Sequence, residues 1–204
     1  TFDRKLLDVL DGDGVSLRDA LRAFGCDPGR VAQAAKAPAD VLAYIEVHIE
    51  QGPVLEAEGL AVGVVTAING ASRFAVELAG MAGHAGTVPM RMRRDAMVAA
   101  AEMILAVERR AVAEADMVAT VGRVEAMPGA TNVIPGGARF TIDLRSPDDR
   151  RRQAACAELE RELAAIAKRR GVTLSVRQTH DAPAAACAPG IMAGLAAAME
   201  RHGH

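Results

Sequence analysis

The chain has 204 residues, of which half are hydrophobic and a quarter are charged, the balance of a soluble globular protein. A formal net charge of −2 and an aromatic content of 2% exclude the basic surface and the stacking platform that nucleic-acid binding requires. No apolar run approaches the roughly 20 residues of a membrane-spanning helix, so neither a nucleic acid nor a membrane is a predicted partner.

Two features of the sequence, its cysteines and its first residue, predict the cellular compartment and where the chain begins. Cys26, Cys156 and Cys187 are odd in number, far apart and without a CxxC pair, which predicts free thiols in a reducing cytoplasm. The chain starts at Thr1 rather than Met and shows no signal peptide with an apolar core. We therefore expect it to begin inside a larger protein.

Residues 1–69 predict helices followed by two buried strands. Ser16 is expected to cap a helix. The apolar runs are typical of strands that are buried on both faces. In chain order the predicted elements are the helix Leu17–Phe24, the strand Val41–Ile49, a short helix Val54–Glu58 and the strand Leu60–Ile68.

Two periodicities then alternate in a regular order. Period-two segments indicate strands and 3.6-residue segments indicate helices, with Ser146 as the predicted cap of the second helix and Gly171 as its end. The order is β-α-β-β-α-β, the split βαβ or ferredoxin-like layout of an α+β domain. The six segments are Ser72–Ala79, Arg93–Ala115, Met117–Val124, Ala138–Leu144, Asp148–Arg170 and Val172–Gln178.

The pattern changes after Thr179, where His180-Asp181 predicts a loop and Gly190–Met199 an apolar helix. The simplest organisation is a compact insert between two pieces of another domain. The predicted division is 1–69, 70–178 and 179–204.

Three clusters of residues have chemical potential. His48 lies near the end of a predicted strand before a Gly-Pro turn, a place suited to a metal ligand. Glycines surround His84 in a loop where a ligand can approach the backbone closely. Asn132 offers a donor and an acceptor, and Arg145 offers a planar fork that matches a carboxylate. Taken singly, each also has a structural interpretation, as a buried strand histidine, a flexible turn or a solvated strand end.

In combination, the clusters resemble the N-carbamoyl-L-amino-acid hydrolase and allantoate amidohydrolase branch of the M20 peptidase family. The matching stretches keep the family's order and are similar to its HIEQGPxLE, GHAGTxPM, RxDA, N-V-x-P-G and F-x-x-D-x-R motifs. They are His48–Glu56, Gly83–Met90, Arg94–Ala96, Thr131–Gly136 and Phe140–Arg145.

The resemblance implies a ferredoxin-like lid, which is also the dimerisation domain, inserted in an α/β catalytic domain of the zinc-aminopeptidase type. It implies that His48 ligates one of two divalent metals (Zn, Mn, Co or Ni) and that Gln51 contacts the carbamoyl or amide group. His84, from the lid of the neighbouring subunit, would stabilise the tetrahedral oxyanion. Asn132 and Arg145 would hold the substrate carboxylate.

The implied reaction is metal-assisted hydrolysis of a ureido or N-carbamoyl compound, in which a glutamate deprotonates a metal-bound water. In the family the other metal-binding histidine, the bridging aspartate and the general-base glutamate precede the position of Thr1, and a last histidine follows that of His204. We therefore expect the parent protein to be a dimeric amidohydrolase and this chain alone to be inactive.

Two alternatives stay open. One is a dimerisation and substrate-gripping module without catalysis, because an exposed strand edge of a ferredoxin-like sheet invites pairing. The other is an M20 aminoacylase or peptidase that acts on an acyl-amino acid or a peptide. The HIEQGP form, with Asn132 and Arg145, favours the carbamoyl branch.

Overall fold

The computed structural model describes residues 3–204, so residues 1 and 2 of the predicted first segment lie outside the described residues. The chain folds as two units, Thr1–Pro53 and Val54–His204. The predicted three-part division at 69 and 178 stays a prediction.

Five α-helices and nine strands make up the secondary structure that the model describes, together with four short 3-10 helices. The α-helices are α1 (Leu17–Ala23), α2 (Val54–Glu58), α3 (Ala96–Val112), α4 (Asp149–Arg170) and α5 (Pro189–Arg201). The strands are β1 (Ala67–Ile68), β2 (Gly70–Ala79), β3 (Gly83–His84), β4 (Val118–Thr120), β5 (Val124–Met127), β6 (Val133–Ile134), β7 (Gly137–Ser146), β8 (Thr173–Ala182) and β9 (Ala185–Ala186). The 3-10 helices are Arg4–Asp8, Pro28–Ala34, Pro38–Asp40 and Met90–Met92.

The first unit confirms the predicted helix start, because the Ser16 side chain accepts a hydrogen bond from the backbone N–H of Asp19 and caps α1. The strand predicted at Val41–Ile49 is wrong. This segment is irregular and its side chains are exposed. A strand needs a neighbour that binds its N–H and C=O groups, and the described residues place none beside it.

The main sheet is antiparallel, with the strand order β4-β7-β2-β8 and with β5 also paired to β7. In chain order its elements run β2, α3, β4 with β5, β7, α4 and β8, which is the predicted ferredoxin-like order. Strand β2 is central and pairs with β7 from Gly70↔Ser146 to Ala79↔Gly137. The α+β prediction is therefore confirmed.

Both long helices cover the same face of the sheet, and the core lies between them and the strands. On β7 the even-numbered side chains from Ala138 to Ser146 are buried, whereas the odd-numbered ones face away from the helices. Phe74, Met103 and Leu163 are typical core residues, each at most 5% exposed. This alternation leaves the second face of the sheet open, and Arg145 lies on it.

Several helices and strands begin or end at residues other than those predicted. Asp148, not Ser146, caps α4: its carboxylate accepts the N–H groups of Arg150 and Arg151, while Ser146 is the last residue of β7. The helix ends at Gly171 as predicted, with a left-handed φ of 65°. Of the predicted strand Leu60–Ile68, only β1 forms, paired with β9.

His180 and Asp181 were predicted to lie in a loop, but they belong to β8. The strand continues because it pairs with β2 as far as Ala71↔Ala182. Asp181 also accepts a hydrogen bond from the guanidinium of Arg152, which is 1% exposed. Arg152 also donates to the Ser72 hydroxyl and to the Asp149 carboxylate, which in turn accepts the N–H of Ala184 at 3.1 Å. This ionic cluster joins β2, α4 and the end of β8.

Among the residues that the structure describes, no helix is both long enough and apolar enough to cross a membrane.

Candidate functional site

His84 lies on a small ladder beyond one end of the sheet, and Asn132 directly precedes its second strand. Strands β3 and β6 pair with the register Gly83↔Ile134 and His84↔Val133. The N–H of Ala85 then donates to the Asn132 carbonyl at 2.9 Å. The ladder adjoins the end where Ala79 pairs with Gly137, because the N–H of Gly80 donates to the Gly136 carbonyl at 2.8 Å.

Close backbone contacts explain two glycines of this region. A Cβ added to Gly80 would lie 2.0 Å from the carbonyl oxygen of Arg94, and one added to Gly136 would lie 2.8 Å from the backbone nitrogen of Ala82. Only a residue without a side chain permits these approaches. The glycines therefore allow the loop that carries His84 to pack against the segment that carries Asn132.

The ring of His84 is exposed and is held at one nitrogen. The backbone N–H of Gly86 donates to Nδ1 at 3.1 Å, so Nδ1 accepts and the proton of the neutral ring lies on Nε2. A donor at Nε2 has the chemistry that stabilises an oxyanion. The Asn132 side chain is also exposed and makes no hydrogen bond within the described part of the chain.

Arg145 lies on the open face of the sheet and is held by Asp143. Its Nε and Nη2 donate to the two carboxylate oxygens at 2.9 and 2.8 Å. This pairing uses the side edge of the guanidinium, which leaves the Nη1 hydrogens and one Nη2 hydrogen free for a second acceptor.

Arg73 donates from Nε to Asp143 at 3.0 Å, so this carboxylate lies between two guanidinium groups. The hydrogen bond from Arg145, with a smaller contribution from Arg73, holds the pKa of Asp143 below its usual range. The two guanidinium groups and the one carboxylate give this cluster a net positive charge.

An open groove of about 580 Å³ surrounds this triad and includes Val118 and Thr120 on its floor. The size of the groove and the positive charge of Arg73 and Arg145 suit a small carboxylate ligand.

The two polar groups lie far apart within one chain. Arg145 is eight residues along β7 from Gly137, a distance of about 27 Å at the rise of a β-strand. His84 and Asn132 lie beyond the Gly137 end. One small substrate therefore cannot contact Asn132 and Arg145 of the same chain, although the resemblance implies that both hold its carboxylate.

His48 and Gln51 belong to the first unit, and both are exposed. Nδ1 of His48 lies at hydrogen-bond distance from the Ile49 carbonyl. A histidine that is held through one ring nitrogen can bind a metal through the other. Gln51 adopts a left-handed φ of 55°, uncommon outside glycine, directly before Gly52-Pro53.

The chemistry of His48 fits a metal ligand, but a complete metal centre is not formed by the described residues. They contain no group of three or more His, Cys, Asp or Glu side chains that could hold a metal ion. Zinc sites normally have three or four protein ligands. The Asp181 carboxylate is bound to the guanidinium of Arg152.

Two residues with roles at these sites were missed in the sequence. Arg73 had no motif to mark it. Arg93, whose side chain contacts the loop after His84, is the first residue of the R-x-D-A pattern when that pattern is laid on Arg93–Ala96.

The fold and these loops define a lid of the peptidase-dimerisation class. Residues 66–171, just over half of the chain, match the M20 family described as a peptidase dimerisation domain. The chain belongs to the M20 peptidase family, in its hydantoinase/carbamoylase branch.

Relatives with curated names are similar along most of the chain. An N-carbamoyl-L-amino-acid amidohydrolase of Paenarthrobacter aurescens is 44% identical, over 85% of this chain and 42% of its own length. An allantoate deiminase of Arabidopsis thaliana is 39% identical, over 95% and 41%. A crystal structure of a hydantoinase/carbamoylase family amidase from Burkholderia multivorans superposes with a TM-score of 0.86 at 33% identity, over 98% and 48%. The chain spans about half the length of the relatives it matches.

Proposed function

We propose that the full-length protein is a homodimeric amidohydrolase that cleaves a ureido C–N bond in an N-carbamoyl-L-amino acid or in allantoate. The observation that carries this proposal is the state of three side chains. His84, Asn132 and Arg145 match the family motifs. The His84 ring and the Arg145 guanidinium are each held through one group and free at another. Asn132 is held through its backbone carbonyl, and its side-chain amide makes no hydrogen bond among the described residues. Such groups are prepared to bind a small polar substrate.

Arg145 would bind the substrate carboxylate through its free guanidinium edge while Asp143 holds the other edge. Asn132 of the second copy in the dimer would hydrogen bond to the same carboxylate, because within one chain Asn132 and Arg145 lie at opposite ends of the sheet. Nε2–H of His84 would donate to the oxygen that becomes negative when water adds to the ureido carbonyl carbon. The C–N bond then breaks, and a carbamoyl substrate yields the free amino acid, ammonia and carbon dioxide. Gln51 would contact the carbamoyl group.

Two divalent metal ions, of Zn, Mn, Co or Ni, are proposed for the full-length protein, with His48 as one ligand. Bound metals of this kind supply an activated water. The described residues provide too few ligands for such a centre. We therefore expect hydrolysis of N-carbamoyl amino acids or allantoate by the full-length protein only with metal present, and none by residues 1–204 alone.

Ammonia release before and after exhaustive chelation tests this expectation, and readdition of each metal singly is the control. Activity that survives chelation would contradict the metal dependence. Hydrolysis of acyl-amino acids or peptides, with no ureido substrate accepted, would favour the aminoacylase or peptidase alternative.

The partner is proposed to be a second copy, docked at the β4–β5 edge of the sheet. Both strands pair with β7 and form its outer side. Helix α3 contacts β4 and β7, and its outer face exposes an apolar stripe at seven-residue spacing. The stripe consists of Val98, Leu105 and Val112, whose exposures are 44%, 54% and 83%. A strand edge that has no further partner among the described residues, on a domain that also exposes an apolar stripe, suits a dimer.

A two-fold axis perpendicular to the sheet keeps the helices of both copies on one face, so the two α3 helices come to lie beside one another. The edges then run antiparallel. This arrangement brings the Gly137 end of one sheet beside the Ser146 end of the other. His84 and Asn132 of one copy would thus approach Arg145 of its partner, although these residues lie at opposite ends of the sheet within a chain.

Replacing Leu105 with aspartate is expected to convert the full-length dimer to monomer and to remove activity, because a charge would be buried in the interface. Sedimentation velocity over a wide concentration range measures this change. Ala165→Asp, on the exposed face of α4, is the matched control and should stay dimeric. A wild-type protein that is monomeric throughout, or a dimeric Leu105→Asp variant, would contradict the proposed surface.

For the domain organisation, we propose that residues 70–178 form the lid, inserted between catalytic-domain segments 1–69 and 179–204. A cytoplasmic location is proposed from the three cysteines, all of which are free thiols.

A further inference from the structure

Arg93 holds the loop that follows His84. Its Nε donates to the carbonyl of Val88 at 3.0 Å, and its Nη2 donates to the carbonyl of Ala85 at 2.6 Å. The side chain is half-buried, and both acceptors are backbone oxygens rather than carboxylates. A charged donor in such a place strengthens both hydrogen bonds.

The two carbonyls bracket a short turn. The His84 carbonyl accepts the N–H groups of Thr87 at 3.3 Å and of Val88 at 3.2 Å, which closes the turn on itself. The N–H of Gly86, at the tip of the turn, donates to Nδ1 of the His84 ring. The position of this N–H, and with it the tautomer of the ring, therefore depends on the shape of the turn.

Arg93 is itself attached to a rigid part of the fold. Two residues later, Asp95 caps α3 by accepting the N–H groups of Met97 at 3.0 Å and Val98 at 3.1 Å. The N–H of Ala96 donates to the Pro135 carbonyl at 3.1 Å, close to Asn132 in the chain. Arg93 thus connects the His84 turn to the start of α3, whose inner face is buried in the core.

We propose that Arg93 is a positioning residue for His84: its guanidinium fixes the 84–88 turn so that the Gly86 N–H stays on Nδ1 and the ring proton stays on Nε2. The proposal rests on the proposed function for the role of the Nε2 proton, but the geometry of the turn does not depend on it. Arginine is required because its planar fork reaches two carbonyls at once, whereas a lysine ammonium reaches one.

Kinetics of the full-length, metal-loaded enzyme give the first test. Arg93→Met is expected to lower kcat about 10–100-fold with little change in KM, since a misplacement of about 1 Å at a reacting group has this effect. Arg93→Lys should recover part of the loss. Arg91→Met is the matched control, because Arg91 is exposed and its side chain has no hydrogen bond or ion pair among the described residues. Wild-type kcat in Arg93→Met would overturn the proposal.

The ring tautomer gives a second readout, which a general loss of stability does not move. Long-range proton–nitrogen NMR of the folded protein with ¹⁵N-labelled histidine should show Nδ1 of His84 as the unprotonated nitrogen of the neutral ring in the wild type and in Arg91→Met. The His84→Gln variant identifies the signal. In Arg93→Met we expect both tautomers to be populated, with Arg93→Lys between the two. If Arg93→Met does not fold, the same comparison is made with Arg93→Lys.

The two tests separate this inference from the proposed function. A wild-type protein without amidohydrolase activity, but with a tautomer shift in Arg93→Met, contradicts the function and supports the positioning role. An active wild type, in which His84→Gln loses kcat while Arg93→Met keeps both kcat and the tautomer, overturns the positioning role alone.

Discussion

Replacing Arg152 with methionine is expected to lower the free energy of unfolding by about 2–3 kcal/mol, measured by urea denaturation of the purified chain. The substitution removes the buried guanidinium that joins Ser72, Asp149 and Asp181, and it leaves the Ser72 hydroxyl buried without its donor. Loss of a buried ion pair can cost more than this. Here the two carboxylates are 34% and 51% exposed, so that water compensates in part.

The pH dependence of stability should change in the same variant. The hydrogen bond from Arg152 lowers the pKa of Asp181, so this carboxylate stabilises the fold above its usual pKa near pH ~4. That stability is lost as the pH falls through the depressed pKa. In Arg152→Met the acid side of the stability profile should therefore fall less steeply.

The control for this variant is Arg150→Met on the same helix, whose side chain is exposed. It should change the free energy of unfolding by no more than about 0.5 kcal/mol. Equal stabilities of the two variants would show that the ionic cluster contributes nothing to the fold.

Replacing Arg145 with alanine is expected to weaken substrate binding by roughly 2–5 kcal/mol, seen mainly as a higher KM of the full-length enzyme. The physical reason is the loss of a bidentate partner for the substrate carboxylate. Arg145→Lys keeps the charge but not the fork, so it should recover only part of the affinity. Arg139→Ala is the matched control, since Arg139 lies on the same face of β7 and its partner is Glu77. An unchanged KM in Arg145→Ala would place the carboxylate elsewhere.

A heterodimer distinguishes a shared site from one formed within a single chain. One copy carries His84→Ala and the other carries Arg145→Ala, with different affinity tags for purification. If His84 and Arg145 act across the interface, one of the two sites is intact and about half of the wild-type activity returns. If both residues act from the same chain, every site lacks one of them and the heterodimer stays as inactive as its parents.

The fold of the lid was predictable because each of its elements carries its own pattern. The alternation in β2 and β7, the long periodicity of α4 and the stop at Gly171 are local signals, and the structure confirms them. The prediction of a strand at Val41–Ile49 was wrong because an apolar extended segment forms a strand only where a neighbouring strand pairs with it. The loop predicted at Asp181 was wrong for the opposite reason, since the distant strand β2 pairs with this segment and extends β8.

The candidate site was predictable as a set of residues but not as an arrangement. His84, Asn132 and Arg145 could be selected because their chemistry and motifs are local. Their separation could not, because it depends on which ends of β2 and β7 the loops leave from. The role of Arg93 was equally hidden, since its acceptors are backbone carbonyls that any sequence provides.

By itself the sequence determined the family and the ferredoxin-like order of elements in the lid. It also identified polar residues whose chemistry suits binding to a carboxylate or an oxyanion. Only the tertiary structure decided that Asn132, beside the β3–β6 ladder, and Arg145, in the open groove, lie at opposite ends of one sheet. The physical reason is that periodicity and side-chain chemistry are properties of short segments. Strand register, a buried arginine and the direction of a free edge arise only when distant segments meet.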